Sequence, residues 1–430
     1  MTQLNKILSI VLLLLLVAGS LSVSAQIVDA EGQYVDTVFN DHVDRTAEDF
    51  VTVSLLVSQP SNNRLYSIFG HAALRLQCPI FDLDYTFSYI STHFDASVLS
   101  YLFIIPKMGL IALPTPDYIK NDFRGIREYE LYLSPNMEME LWRILDEEIS
   151  SGCTLPYNCV SHSCAQMVYQ YVNRAIDVVN SKDSVHTNWI YEPDHTMHEL
   201  MNIYAKNAPW QLLVMNSLLG SSYVDDVHMA NGRKILFPEQ LLALWHNTTL
   251  CGNPILSVEA EVYTTSEIMT APIIKPLRIA IVLLLLALCS FATLFCRKIV
   301  WVKKVGNGID YLLLGLQTLA GTFMIVMMWV AYLPFPQTHW NWLLIPFNIL
   351  PIVCWKWRKY WALPYAAVLG VWCLVMVFVP HMLVDTTHII LTMAFAIMLL
   401  KQSNILQRFF TKSVAQDITK LSNRSLTKKK

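Results

Sequence analysis

The chain has 430 residues, of which 54% are hydrophobic and 15% are charged, and its formal net charge is −2. This length allows two domains, and a charge so near zero gives no reason to expect nucleic-acid binding, which depends on a basic surface. The apolar residues are unevenly spread, because residues 26–272 have an ordinary globular composition whereas the chain from about residue 273 is strongly apolar.

The N-terminus has the parts of a secretory signal peptide. Lys6 is a basic residue, residues 7–18 are apolar, and small residues at 23–25 precede Gln26. The apolar run is shorter than the ~20 residues that a membrane span needs. We therefore expect residues 1–25 to be removed rather than kept as an anchor.

Residues 26–272 show strand patterns early and helix patterns mixed among them, which predicts an α+β domain. A turn is expected at 77–82, and residues 256–276 are expected to connect this domain to the apolar half. Strands are predicted at 50–57, 71–76, 84–89 and 129–133, and helices at 136–150, 164–179, 196–205 and 238–248.

The apolar half predicts an all-α transmembrane bundle of about five helices over residues 273–402, followed by a basic tail at 403–430. Lys and Arg follow the first, third and fifth apolar runs and are missing from the two opposite loops. Positive loops stay in the cytoplasm, so we expect a multi-pass protein of the bacterial inner membrane with its N-terminal domain in the periplasm and its C-terminus in the cytoplasm. The runs are 276–296, 309–333, 341–355, 361–380 and 383–400.

Two histidines, His381 and His388, lie near the expected outer ends of the last spans. Polar groups at that depth either meet a lipid headgroup or are ordinary wet loop residues. The sequence leaves both interpretations open.

Five of the nine cysteines lie between residues 26 and 272. An odd number in an oxidising compartment leaves at least one thiol unpaired unless a bridge joins two chains. An unpaired thiol there is either buried and inert or kept for its reactivity. The five are Cys78, Cys153, Cys159, Cys164 and Cys251.

Cys164 is the best candidate for a reactive thiol, because it stands where a polar turn gives way to an amphipathic helix. The N–H groups and the dipole of a helix N-terminus favour the thiolate, which is the nucleophilic form. The alternative is that Cys164 pairs with Cys153 or Cys159 to close a loop.

A cysteine nucleophile needs a base, and His71 is the candidate that its context singles out. It follows Gly70 and opens a predicted strand, and glycine at such a position allows close approach of another chain or a ligand. The alternative is a histidine on an edge strand with a purely structural role. No metal or other cofactor is expected.

Two segments resemble a bacterial envelope domain of the permuted papain-like group, which includes lecithin–retinol acyltransferase and relatives of the NlpC/P60 peptidases. Residues 69–75 (Phe-Gly-His-Ala-Ala-Leu-Arg) are similar to the strand that carries its histidine. Residues 157–168 are similar to its helix start, with Tyr157 seven positions before Cys164. The layout of the whole chain resembles the Lnb-type lipoprotein N-acyltransferases of Bacteroidota.

The resemblance implies an α+β permuted papain-like (NlpC/P60-like) extracytoplasmic domain and an enzyme that works through a thioester. Cys164 would take an acyl chain from a membrane phospholipid, with His71 as its base, and pass it to the α-amino group of a diacylglyceryl lipoprotein. Ser163 stands where the family has asparagine, and Asn158-Cys159 is a rival match for the nucleophile. If Cys164 is free, the other four cysteines allow three pairings.

A third group is expected to orient His71. Asp84 ranks first, and Tyr89 and Ser67 are further candidates. Arg75, two positions along the same strand, either binds a phosphate headgroup or pairs with an acidic neighbour. Two other functions stay open: a cell-wall cysteine peptidase or amidase that uses the same Cys164–His71 pair, and a non-enzymatic envelope assembly protein with structural cysteines.

Overall fold

The computed structural model describes residues 50–61, 65–91, 107–122, 124–156, 162–183, 187–188, 197–219, 235–258, 261–264, 272–296, 299–329, 355–378 and 386–403. The chain divides into two compact units. The first, here called the sheet unit, comprises residues 1–59, 71–190 and 235–266, and the second, the helical unit, comprises residues 60–70, 191–234 and 267–430.

The sheet unit is built on an antiparallel sheet with the strand order β10-β5-β1-β2-β3-β4-β6. A smaller sheet has the order β7-β8-β9. The strands are β1 (Thr52–Ser58), β2 (His71–Cys78), β3 (Leu83–Ser91), β4 (Lys107–Pro114), β5 (Ile126–Leu131), β6 (Leu155–Pro156), β7 (Thr187–Asn188), β8 (Thr249–Leu250), β9 (Asn253–Pro254) and β10 (Glu261–Thr264).

Helices cover both faces of the central strands, so β1 and β2 are apolar on both sides. On one face, Leu56 and Ala73 pack with Tyr118 of α1 (Thr115–Asn121) and with Ile126. On the other, α3 (Cys164–Asp183) packs against β2 and β3, and α2 (Pro135–Ser151) packs against α3 and β4. The unit is completed by α6 (Pro238–His246).

The predicted α+β pattern agrees with these elements, with shifts at their ends. The strand predicted at 129–133 is Ile126–Leu131, because it starts directly after the Asp122–Arg124 turn. The turn predicted at 77–82 is shorter: β2 continues to Cys78, and Asp82 closes a single 3-10 turn with φ 53°. Strand β4 and helix α1 were missed, since their sequence has no clear alternation.

The helical unit contains α4 (Met197–Tyr204), α5 (Pro209–Leu219), α7 (Pro276–Ala292), α8 (Val300–Trp329), α9 (Arg358–Phe378) and α10 (Thr386–Gln402). Helix α10 packs against both α7 and α9. Small and apolar side chains, among them Ala287, Leu313, Ala366 and Phe395, form their shared core.

The predicted fold class was a permuted papain-like domain followed by a transmembrane bundle. The prediction of the transmembrane bundle is wrong. Within the described ranges, no helix combines the length and the apolar character that crossing a membrane requires. Helices α7 and α10 have 17 residues each, or about 25 Å, against a hydrocarbon core of about 30 Å. Most of the run at 341–355 lies outside the described residues.

Charged and polar side chains are also buried inside this unit, where apolar runs alone would not predict them. The Nζ of Lys401 lies 2.8 Å from an Oδ of Asp310 and donates to the Oγ of Ser290 at 2.6 Å. The amide of Gln402 donates to the same Asp310 at 2.5 Å. These contacts tie α7, α8 and α10 together.

Candidate active site

The β2–β3 hairpin places His71 beside Ser88. Ala73 pairs with Ser88 across the hairpin, and His71 lies two residues before Ala73, so all three side chains are on one face. The Nε2 atom of His71 is 2.8 Å from the Oγ of Ser88, and the tautomer of the ring decides which of the two donates. The buried Ser88 is therefore the group that orients the ring.

A buried ion pair lies next to the histidine. Ser58, which pairs with His71 across β1 and β2, donates its hydroxyl proton to Oδ2 of Asp122 at 2.7 Å. The same carboxylate accepts two hydrogen bonds from the Arg124 guanidinium, at 2.7 and 2.8 Å. Burial alone would raise the pKa of Asp122, but the hydrogen bonds from Arg124 and Ser58 outweigh burial and lower it.

Cys164 is the first residue of α3, and Ser163 caps that helix. The Oγ of Ser163 accepts a hydrogen bond from the backbone N–H of Gln166 at 3.1 Å, as an N-cap residue does. Ser163 thus has a defined local role, because it fixes the backbone that carries the thiol.

A second segment of the chain is fastened to this helix start. The backbone N–H of Ile235 donates to Oε1 of Gln166 at 2.6 Å, and Ser163 donates to the carbonyl of Ile235 at 3.1 Å. Both side chains are buried. The residues on either side of Cys164 are therefore held by side-chain contacts as well as by the helix.

Helix α3, which begins at the half-buried Cys164, packs against the strand that carries His71. Burial raises the pKa of Cys164, while the N–H groups of Ala72 and Ala165 and the charge of Arg124 act in the opposite direction because they favour a thiolate. Ala72 is the residue next to His71. The structure therefore brings Cys164, His71 and Arg124 to one end of the sheet.

The same surroundings keep the histidine neutral. Burial and then the Arg124 guanidinium lower the pKa of His71 to about 3, although Asp122 acts the other way. With a raised thiol pKa and a lowered imidazole pKa, the resting pair at neutral pH is a thiol and a neutral imidazole. A pre-formed thiolate–imidazolium pair would need the opposite order of the two pKa values, so any proton transfer to His71 has to accompany the attack of the sulfur.

Asp84, ranked first among the orienting groups, lies against Arg75 instead. Its two oxygens accept from Arg75 at 2.8 and 2.7 Å. Arg75 also donates to Glu128 at 2.8 Å and to the Tyr263 hydroxyl at 2.6 Å. Of the two interpretations of Arg75, pairing with acidic neighbours is the one whose contacts are present.

The remaining sequence candidates lie elsewhere or outside the described residues. Tyr89 is buried, with its pKa raised to about 12 by burial and by Glu148 and Cys153. Ser67 donates to the carbonyl of Ser61 at 2.8 Å within the helical unit.

His388 is buried in α10, and His381 is outside the described residues. Cys78, Cys153, Cys164 and Cys251 are free thiols, whereas Cys159 lies outside the described residues, so the disulfide pairings stay a prediction. Within the part of the chain that the structure describes, no three His, Cys, Asp or Glu side chains come together as a metal ion requires.

Sequence reasoning missed Ser58, Ser88, Asp122 and Arg124. Ser88 was within reach, because a hairpin turning near residue 80 pairs residues 73 and 88 and so places Ser88 on the face of His71. Asp122 and Arg124 follow a helix that no periodicity revealed, so the sequence carried no comparable signal for them.

Comparisons of the chain with protein-family models, with curated proteins and with solved structures found no match.

Proposed function

We propose that this protein is a cysteine-dependent acyltransferase in which Cys164 is the nucleophile and His71 the general base. The observation that carries the proposal is the packing of α3, whose first residue is Cys164, against β2, whose first residue is His71. The ring of that histidine lies 2.8 Å from the hydroxyl of Ser88. Nucleophile, base and orienting group are the three parts that covalent acyl transfer needs.

The reaction proceeds in two balanced half-reactions. The imidazole of His71 accepts the thiol proton while Sγ of Cys164 attacks an ester carbonyl, and collapse of the tetrahedral oxyanion breaks the C–O bond. The alcohol leaves with the proton from His71, and a thioester remains. An amine then attacks the thioester, forms an amide and returns the proton to the sulfur.

We propose a membrane glycerophospholipid as the donor and the α-amino group of a diacylglyceryl lipoprotein as the acceptor, on the periplasmic side of the bacterial inner membrane. The support is the resemblance of residues 69–75 and 157–168 to the permuted papain-like group, which includes lecithin–retinol acyltransferase. The partial burial of the thiol supports it as well, because limited access of water favours an amine over hydrolysis of the thioester.

The test is the N-terminal state of lipoproteins in a strain that depends on this protein. Cys164→Ala and His71→Asn should each abolish triacylation, read by mass spectrometry of N-terminal lipopeptides. Cys153→Ala is the matched control, because Cys153 is an exposed free thiol, and it should leave triacylation intact. Full triacylation in the Cys164→Ala strain would refute the proposal.

Reactions of the purified full-length protein distinguish the alternative functions. Incubation with phosphatidylethanolamine should leave an acyl group on the peptide that contains Cys164. An acyl group on Cys159 instead of Cys164 would identify Cys159 as the nucleophile. Cleavage of isolated peptidoglycan without acylation would indicate the peptidase or amidase, and neither reaction would indicate a non-enzymatic protein.

A further inference from the structure

Ser58 connects the histidine strand with the buried ion pair of Asp122 and Arg124. It lies directly opposite His71 in the register of β1 and β2. Side chains at such positions share a face of the sheet, with Cβ atoms about 4.5–5.5 Å apart. The hydroxyl of Ser58 donates to Oδ2 of Asp122 at 2.7 Å. Ser58 therefore contacts the carboxylate from the strand position that faces His71.

The backbone holds the carboxylate over this part of the sheet. Asp122 ends helix α1, and its N–H donates to the carbonyl of Tyr118 at 3.1 Å. The turn that follows is fastened to the end of β1, because the N–H of Gln59 donates to the carbonyl of Gly125 at 2.7 Å. Ser58 is fully buried, and the side chain of Asp122 is 5% exposed. Bulk water therefore has little access to either group.

The carboxylate decides the direction of the hydrogen bond at Ser58. Asp122 accepts this bond and three more from Arg124, which donates through its backbone N–H, Nε and Nη2. A carboxylate with these donors stays ionised and can only accept. The Ser58 proton is therefore committed to Asp122, and the hydroxyl oxygen keeps only lone pairs for other partners. An oxygen polarised by an anion in this way favours a cation beside it.

A cation forms at this place during the proposed reaction, because His71 becomes an imidazolium when it takes the thiol proton. Burial and then Arg124 lower the pKa of His71, whereas Asp122 raises it. Tyr118, on the helix packed over the same face, stays protonated, since burial and then Asp122 raise its pKa to about 12. Asp122 is thus the anion that favours the imidazolium.

We propose that Asp122 is a positioning residue of the reaction, which acts through the Ser58 hydroxyl to stabilise the imidazolium that His71 forms when Cys164 attacks. The thiol proton moves to His71 and later leaves with the alcohol. Ser58 keeps its own proton, and Asp122 remains a carboxylate throughout. This inference rests on the proposed acyl transfer.

Two reactions of Cys164 test the role of Ser58 in the full-length chain. Acylation by p-nitrophenyl hexanoate needs His71 as a base, whereas alkylation by iodoacetamide at about pH 9 depends on the thiolate. Ser58→Ala should slow acylation by about tenfold, a part of the roughly 100- to 10,000-fold that general-base catalysis contributes, and should leave alkylation unchanged. Ser58→Thr keeps the hydroxyl and should restore most of the rate. Ser54→Ala is the matched control, because Ser54 is a buried serine on the same face of β1 that lies opposite Arg75, and it should change neither rate.

A double-mutant cycle tests whether Asp122 acts through Ser58. Asp122→Asn should slow acylation at least as much as Ser58→Ala does, and combining the two should cause little further loss. Losses that multiply would mean that the two residues act independently, and would overturn the inference. If Asp122→Asn folds poorly, the Ser58 variants still decide, because they keep the ion pair.

The pH dependence of acylation separates an effect of charge from simple support of the fold. Arg124→Gln leaves Asp122 near His71 without the opposing cation. The acid limb of the acylation profile should therefore move up by about one pH unit or more. Adding Asp122→Asn should bring the limb back down. An acid limb that is the same in both variants and in the wild type would contradict a role for the charge of Asp122.

The outcomes also separate this inference from the proposed function. No acylation of Cys164 in the wild type would defeat the proposed function itself. Normal wild-type acylation that Ser58→Ala leaves unaffected would defeat only the role of Asp122. Equal losses of acylation and alkylation would assign Ser58 to the support of the fold, and would also overturn the inference.

Discussion

The Nε2 atom of His71 lies 2.8 Å from the Oγ of Ser88, and Ser88 is 1% exposed. A ring held through one nitrogen in a buried site keeps a single orientation, and it leaves the other nitrogen for the thiol proton. In the proposed mechanism, this contact gives Ser88 the role that a carboxylate or amide has in known cysteine enzymes.

Ser88→Ala should therefore slow acylation of Cys164 by about tenfold, since general-base catalysis contributes roughly 100- to 10,000-fold in all and the base itself remains. Ser88→Thr keeps the hydroxyl and should restore most of the rate. The measurement is the pre-steady-state burst with an ester substrate. Equal loss in both variants would mean that Ser88 only fills space.

The Cys164 side chain should be a protonated thiol at neutral pH, with its reactivity limited by the fraction of thiolate. Burial raises the pKa of Cys164 and lowers that of His71 to about 3, so thiolate forms mainly by titration. The rate of iodoacetamide alkylation, followed on the Cys164 peptide by mass spectrometry, should keep rising with pH through pH 9. Arg124→Gln should slow it further, because Arg124 favours the thiolate. A plateau between pH 5 and 8 would instead indicate an ion pair.

Keeping His71 neutral should make the fold sensitive to acid. An unfolded histidine has a pKa of about 6.5, whereas the pKa in the folded chain is about 3, so between these values the unfolded state binds the extra proton. Stability then falls as the pH drops from about 6.5 toward 3. The lowered pKa of Asp122 adds a further loss below about pH 4.

His71→Asn removes the histidine share of this loss. Between pH 7 and 4.5 the variant should lose up to about 2.5 kcal/mol less stability than the wild type, measured by urea unfolding. Asp122→Asn should not have this effect, since Asp122 affects stability only below about pH 4. Parallel curves for wild type and His71→Asn would show that His71 titrates normally.

Asp84 should be a stabilising residue rather than part of the chemistry. Its carboxylate is bound by Arg75 on both oxygens, and the pair is partly exposed, so Asp84→Asn should cost about 1 kcal/mol. Glu128 is more deeply buried beside the same guanidinium, so Glu128→Gln should lower the folding stability by more than Asp84→Asn does. Both variants should keep the wild-type acylation rate. A tenfold lower acylation rate in Asp84→Asn alone would instead give Asp84 a role in the reaction.

The parts of the fold that follow from sequence are those with a strong period. The alternation of β1 and the polar-to-apolar change at Cys164 identified a strand and a helix start. Helix α1 has seven residues, too few to show a period, and Asp122 is its C-cap residue. Asp122 and Arg124 reach the site because β5 pairs with β1, a long-range relation that no local pattern encodes.

In the described part of the apolar half, a strong pattern led to a wrong assignment. Long apolar runs predict membrane spans, but the same residues also make helices that bury one another, as Ala287, Leu313 and Phe395 do. Single charged residues inside such runs indicate where the helices contact one another, and a count of apolar residues does not register them. Asp310 and Lys401 are far apart in sequence and meet in the core.

That buried pair gives a prediction for the helical unit. Asp310 and Lys401 are 2% and 6% exposed by side chain, and both contact Ser290. Lys401→Met leaves the carboxylate buried without its cation, which typically costs about 3–5 kcal/mol. Adding Asp310→Leu removes the stranded charge, so the double variant should be more stable than Lys401→Met alone. Thermal unfolding followed by circular dichroism measures both, and additive losses would mean that the two groups do not interact.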